Sequence, residues 1–436
     1  MCACRLLKPE LFNELIQPKI DNHVANNPIL NAVTLFGLQV KNQADLASNQ
    51  KRHIFVYGNC AFDTLDGYAS MMSLKDAGYL CDRNILSQVN TSKFLIAGSP
   101  ELNLVYNRQS RMDMLKLYLT LTIQFHNQNA AAVLWGQGTM WASLLYMNWL
   151  ALDKAFPILY LVSNEAGAGK TTAFNAYARS IGLPLESIGG NKTSESGFLD
   201  WVSTYSCLSF FIDDFNPRKC INRTNDTWLD LFKQLYDAKT VVQHDKIRLV
   251  YSSTVVSANA EMPPDVPTQT RLISLHFILN KKHPRDISAI EDHYNQVFHM
   301  ISCLVPDIIS MKFNGDLDKT HINELQQFIM ACSPSTLTPR VAQNLKKPLY
   351  YLLLVFKWVE MDLVMQIQEG NCSHDQLTDW GDLVDIYIFD YMCVLIKQYA
   401  LSCSQVDLWS RFFYCLDKAL SLHDKHSRDV SGSLNW

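Results

Sequence analysis

The chain has 436 residues, 48% of them hydrophobic and 18% charged, with a formal net charge of −4. This composition excludes a disordered polyelectrolyte, and the near balance of charge excludes whole-molecule attraction to nucleic acid, so any such contact needs a local basic surface. The length exceeds what one core usually organises, and two or three domains are expected.

The N-terminus, "MCACRLLKPELFNELI", carries Glu10 and Glu14 and lacks the apolar stretch of a secretory leader, so a cytoplasmic or nuclear location is expected, not secretion. The twelve cysteines lack the paired short spacings of a zinc site; the closest approaches are Cys2 with Cys4 and Cys372 beside His374, and buried reduced thiols are expected. Residues 1–111 mix short apolar runs such as "HIFVYG" and "SKFLIAGS" with turn residues, which predicts a mixed α and β region of unknown role. Residues 112–155 read as helical. Within them, Ala130 to Leu152 is uncharged and long enough to span a bilayer, but Gln137, Asn148 and two glycines interrupt it. That pattern favours a helix buried in protein, and no membrane partner is expected.

From 156 to 280 strands and helices alternate, the pattern of a parallel α/β sheet. From 281 to 436 the chain reads as a helical domain, whose aromatic and methionine residues are expected in its core.

The middle segment holds the chemistry. In "ILYLVSNEAGAGKTTAFNAYARSIGLP", a strand pattern is followed by a loop and a helix stopped by Gly182 and Pro184. Cradling nucleotide phosphates needs consecutive backbone N–H groups at a helix N-terminus, a lysine, and a hydroxyl for Mg²⁺. The stretch Asn164, Glu165, Ala166, Gly167, Ala168, Gly169, Lys170, Thr171 and Thr172 supplies them: the two glycines permit the tight loop, Lys170 is the charge and Thr171 the hydroxyl. Asn164 stands where a phosphate loop usually opens with glycine, and asparagine tolerates left-handed backbone better than most residues. A chance glycine turn is the ordinary alternative.

Downstream, "CLSFFIDDF" reads as a strand from Cys207 to Ile212 ending in Asp213 and Asp214. After a phosphate loop such acids serve a metal and the attacking water; Asp213 is assigned mainly to Mg²⁺ and Asp214 mainly to water. A further strand, "STVVSAN", ends in Asn259, placed to bond the attacking water or the γ-phosphate, although a turn residue reads the same alone. "TQTRLISLHF" puts Arg271 at the start of another strand, where a guanidinium can meet the γ-phosphate of an adjacent subunit or form a surface ion pair. In between, Trp228, Leu231, Phe232, Leu235 and Tyr236 share one helical face. "TVVQHDKIRLV" then reads as two short strands carrying His244, Lys246 and Arg248, a basic cluster suited either to the phosphates of a threaded single strand or to plain solvation.

In "NEAGAGKTT", "FFIDDF", "QHDKI", "VVSAN" and "TRLISLHF", in that order, the chain resembles the superfamily III helicases of small DNA viruses, poxvirus-type primase-helicases and mobile elements, ring-forming members of the AAA+ class. The acid and arginine pieces resemble the papillomavirus-type helicase most. The resemblance covers Ile158 to Phe277. It implies an AAA+-like α/β core, ATP and Mg²⁺ at Lys170 and Thr171, hydrolysis supported by Asp213 and Asp214, γ-phosphate sensing by Asn259, Arg271 acting across a subunit boundary, and Lys246 touching DNA. The function so implied is an ATP-dependent, hexameric DNA helicase motor with single-stranded DNA as its partner. Competing expectations are an AAA+-like ATPase that remodels protein, a small-molecule kinase, and a non-enzymatic scaffold.

Overall fold

A computed structural model describes residues 31–32, 36–42, 51–63, 70–73, 79–80, 100–105, 107–184, 188–189, 195–202, 205–217, 227–239, 241–243, 246–248, 250–261, 266–279, 284–310, 319–332 and 337–403. The chain begins with β1 (Asn31–Ala32), β2 (Phe36–Asn42), β3 (Lys51–Val56), β4 (Ala61–Asp63), β5 (Ser70–Met72) and β6 (Tyr79–Leu80). β2 to β5 form an antiparallel meander, and β1 pairs with β6 in parallel. The run "HIFVYG" is the end of β3 and the turn after it; "SKFLIAGS" lies outside the described residues.

Three helices follow: α1 (Arg108–His126), α2 (Ala130–Ser143) and α3 (Tyr146–Asp153). Asn107 caps α1, its Oδ1 accepting from the backbone N–H groups of Gln109 at 2.8 Å and Ser110 at 3.3 Å. All fourteen residues of α2 are buried, which is why it reads as apolar on every side. No helix among the described residues is long and apolar enough to cross a membrane. Buried Gln137 is satisfied inside the protein: it accepts from the Tyr118 hydroxyl and donates to Ser180 Oγ, both at 2.9 Å.

The middle segment runs β7 (Ile158–Val162), α4 (Lys170–Ser180), β8 (Ile188–Gly189), α5 (Glu195–Val202), β9 (Tyr205–Ser206), β10 (Phe210–Phe215), α6 (Thr227–Tyr236), β11 (Val241–Gln243), β12 (Lys246–Arg248), β13 (Thr254–Ala258), α7 (Val266–Gln269) and β14 (Leu272–His276). Five of these strands form one parallel sheet in the order β14–β7–β13–β10–β8. Every residue of β7 and β13 is buried, as expected for a parallel sheet covered on both faces, and this gives apolar runs instead of alternation. The expected face of α6 is buried in full: Trp228, Leu231, Phe232, Leu235 and Tyr236.

One expectation needs correction. The strand expected at Cys207 starts instead at Phe210 and runs through both acids to Phe215, because Cys207 has a left-handed backbone (φ 59°) that ends β9 and bends the chain. β9, for which the sequence gives no signal, lies outside the parallel sheet of the middle segment and pairs with β2 of the N-terminal meander, Phe36 with Tyr205 and Gly37 with Ser206.

The described residues of the C-terminal part are helical: α8 (Pro284–Met300), α9 (Val305–Ser310), α10 (Lys319–Ala331), α11 (Pro339–Gln368), α12 (His374–Val384) and α13 (Tyr391–Cys403); of the helical domain expected over 281–436, residues 404–436 lie outside the described residues. α11 spans 30 residues despite an internal Pro348, and α12 starts with a reciprocal cap between Ser373 and Gln376. The thiols are only partly as expected: Cys60, Cys207 and Cys303 are buried, but Cys332 is exposed.

Candidate nucleotide site

Residues 163–169 join the carboxyl end of β7 to the amino end of α4. Gly167 (φ 78°) and Gly169 (φ 88°) take the left-handed conformations for which glycine is needed. Asn164 does not: the left-handed residues other than glycine among those described are Asn127, Lys154, Cys207, Asp214 and Ala238. Tolerance of left-handed backbone is therefore not what admits Asn164; its position imposes no such demand. Ser163 Oγ closes the first turn, accepting from Glu165 N–H at 3.1 Å. Asn164, Glu165, Ala166 and Gly167 form an exposed rim, while Ala168 and Lys170 are buried at its base.

Because β13 lies between β7 and β10, three parallel strands bring the loop, Asn259 and the two acids to one edge of the sheet, the carboxyl edge at which α/β folds bind ligands. The side chains connect there. Lys170 Nζ donates to Asn259 Oδ1 at 3.0 Å and lies 3.5 Å from the Ser163 carbonyl oxygen; Asn259 Nδ2 donates to Asp214 Oδ1 at 2.8 Å. An ammonium only donates and a carboxylate only accepts, so this chain of bonds dictates which way the amide points. Burial lowers the Lys170 pKa from its ordinary value, and the negative charges of Asp213 and Asp214 oppose that shift.

The acids sit in a bulge. β10 pairs with β13 as Ile212 with Val256 and then Phe215 with Ala258, so Asp213 and Asp214 together oppose a single residue. Asp214 takes a left-handed φ of 52°, and its backbone N–H donates to Asp213 Oδ1 at 3.0 Å. The bulge turns Asp214 outward to Asn259 and leaves Asp213 half-buried in register with Gly189 of β8.

Thr171 is exposed on the first turn of α4, and Thr172 is half-buried behind it. The oxygens of Thr171 and Asp213 are hard donors suited to Mg²⁺, which takes one or two carboxylates together with substrate phosphates and waters. Such a site needs no larger ligand cluster, and among the described residues no group of three or more His, Cys, Asp or Glu could hold a metal ion.

Arg271 lies at the opposite end of the sheet, just before β14, whose five residues separate it from the carboxyl edge by about 16 Å at strand rise. Its guanidinium donates to the Pro267 carbonyl at 2.6 Å, lies 3.8 Å from Asp237 Oδ2 and covers the Tyr236 ring at 5.4 Å. The structure does not bring it together with Lys170 of the same chain. β11 and β12 form the expected antiparallel hairpin, with Gln243 opposite Lys246 and Val241 opposite Arg248; His244 lies outside the described residues.

Three contributors around the loop escape sequence reasoning. Buried Asn129, in the turn between α1 and α2, donates to the carbonyls of Ala168 at 3.0 Å and Ile278 at 2.8 Å and accepts from Ile278 N–H at 3.0 Å. The Glu165 carboxylate accepts from Leu279 N–H at 3.0 Å. His126, with Nε2 3.0 Å from the Tyr294 hydroxyl, has its pKa pushed down to about 3 by burial and stays neutral behind Gly169. A lone asparagine or histidine between helical patterns gives no local signal for such contacts.

No family model matches the chain, and no curated protein matches it. Two solved structures are similar to it at low identity. One, "SCCmec type IV Cch - active helicase", is 10% identical, with a TM-score of 0.45, and the match covers 84% of this chain and 75% of that one. The other, the X-ray structure of JCV helicase, is 14% identical, with a TM-score of 0.23, over 68% of this chain and 74% of that one. Both of those proteins are named as helicases.

Proposed function

We propose that the chain is an ATP-hydrolysing DNA helicase or translocase motor that works as a ring, in the replication of a virus or mobile element. The observation that carries this reading is the chain of bonds from Lys170 through Asn259 to Asp214, set at the base of a glycine loop on the carboxyl edge of a parallel sheet. The loop N–H groups and Lys170 would hold the β- and γ-phosphates. When phosphate takes over the Lys170 ammonium, the Asn259 amide is released to bond the γ-phosphate or the attacking water, which Asp214 orients. Mg²⁺, held by Thr171 and Asp213, would supply charge neutralisation for the phosphates. Arg271 would act on the nucleotide of an adjacent subunit, exchanging its bonds to Pro267 and Asp237 for that contact. The β11–β12 hairpin, through His244, Lys246 and Arg248, would carry a single DNA strand.

ATPase rates with and without single-stranded DNA test the proposal. Lys170→Ala should reduce hydrolysis to background, and single-stranded DNA should accelerate the unmodified protein several-fold. Hydrolysis that ignores DNA would replace the helicase reading with an AAA+-like ATPase that remodels protein or switches on nucleotide. Mixed assemblies of Arg271→Ala and Asp213→Ala chains should recover part of the activity; no recovery removes the arginine from the account.

A further inference from the structure

We propose that Asn129, outside the motor segment, is a positioning residue that locks one peptide of the phosphate loop in its anion-binding orientation and ties the loop to the end of β14. This rests on the nucleotide reading of the loop given above. A trans peptide is planar, and the C=O of one residue points opposite to the N–H of the next. The Ala168 carbonyl is held by Asn129 Nδ2 at 3.0 Å, so the Gly169 N–H points away from Asn129. Gly169 has no side chain to resist rotation and already sits at φ 88°, where a peptide flip meets little steric opposition. A flip would aim a carbonyl oxygen where a donor is needed and repel the anion. The Asn129 bond is what opposes it.

The same amide grips Ile278 twice, at its carbonyl (2.8 Å) and its N–H (3.0 Å). Glu165 adds a second link by accepting from Leu279 N–H at 3.0 Å. Both partners belong to the segment that leaves β14, the strand that Arg271 precedes. The loop is therefore fastened at its rim and its base to one short segment, and Asn129, 3% exposed, makes all its bonds to backbone atoms that any sequence would present.

The test uses the full-length chain and follows displacement of a fluorescent ATP analogue by ATP with magnesium, beside the melting temperature without nucleotide. Asn129→Asp has the same shape but loses both donors and faces two carbonyl oxygens with a charge. At pH 8 it should bind ATP about tenfold more weakly than the unmodified protein, the scale of one or two lost hydrogen bonds. Lowering the pH should close the gap, because the protonated acid regains a donor while its carbonyl still accepts from Ile278. Asn129→Ser, small and uncharged, should show the weaker binding with no such recovery, and carries the test where the aspartate variant does not fold. Folded variants that bind ATP as the unmodified protein does at both pH values overturn the inference. Lys170→Ala is the separating control: if it keeps full ATP affinity, the nucleotide reading itself fails, whatever Asn129 does.

Discussion

Asp214 combines a left-handed φ of 52° with a carboxylate bonded to Asn259 at 2.8 Å. Left-handed backbone at a residue other than glycine costs on the order of 1 kcal/mol and persists where function needs it. Asp214→Gly should accordingly hold or raise the melting temperature while lowering the ATPase rate by about 10²-fold, and Asp214→Val should lower both, since a β-branched residue resists that conformation. A glycine variant with undiminished hydrolysis would take Asp214 out of the chemistry. That Lys170, Thr171 and the two glycines sit where a loop passes from a strand into a helix was legible because such a turn is local: spacing alone places them. Asn129 was not, because its contact with Ala168 spans 39 positions and only folding creates it. Asn164 was misjudged for a related reason, since the backbone angle a position requires is not written in its residue type.

At the level of elements, continuous apolar runs identified β7 and β13 because parallel strands buried on both faces do not alternate. The same rule overran at "CLSFF", where the apolar Cys207 and Leu208 belong to a bend. The order of strands was beyond reach, since no residue pattern says that β13 lies between β7 and β10. The helix α2 shows what close approach requires: a Cβ on Gly136 would lie 2.1 Å from Tyr177 Oη of α4, and one on Gly138 would lie 2.8 Å from the Pro348 carbonyl of α11. Gly136→Ala should therefore destabilise by roughly 1–3 kcal/mol, the usual cost of overpacking, by displacing a tyrosine whose hydroxyl donates to the Val133 carbonyl at 3.0 Å. Combined with Tyr177→Ala, it should cost less than the sum of the single changes in thermal unfolding.

Across the whole molecule, the boundaries proposed at 111/112, 155/156 and 280/281 are crossed by specific bonds. Glu101 N–H donates to the Gly182 carbonyl at 2.7 Å, Asn103 N–H to Ser302 Oγ at 2.9 Å, and Arg111 pairs with Asp307 at 2.5 Å. Deeper in, Asp153 at the end of α3 faces two buried lysines of α11, Lys346 at 2.9 Å and Lys347 at 2.7 Å. Burial alone would raise the Asp153 pKa, but Lys347 and Lys346 hold it below its ordinary value. Burial pushes Lys347 down to about 8 from 10.5, with Asp153 opposing. Between those values the folded lysine sheds a proton that the unfolded chain keeps, so this group's contribution to stability rises with pH across that window and is at its least favourable below it. Lys347→Met should be close to neutral at pH 7 and should abolish the rise, whereas Asp153→Ala should cost about 3–5 kcal/mol by stranding two buried ammonium groups. Urea unfolding at pH 7 and pH 9.5 separates the two outcomes. None of this was readable beforehand, because ion pairs between distant helices leave no periodic trace.

The pairing of β9 with β2 bears on how the protein can be cut. A fragment beginning at Met112 would keep every residue of the proposed motor yet lose the strand that pairs with Tyr205–Ser206, opening an edge of β9 to a neighbouring chain. A piece that keeps this pairing begins no later than Phe36, so the N-terminal meander shares a sheet with a strand of the proposed motor segment.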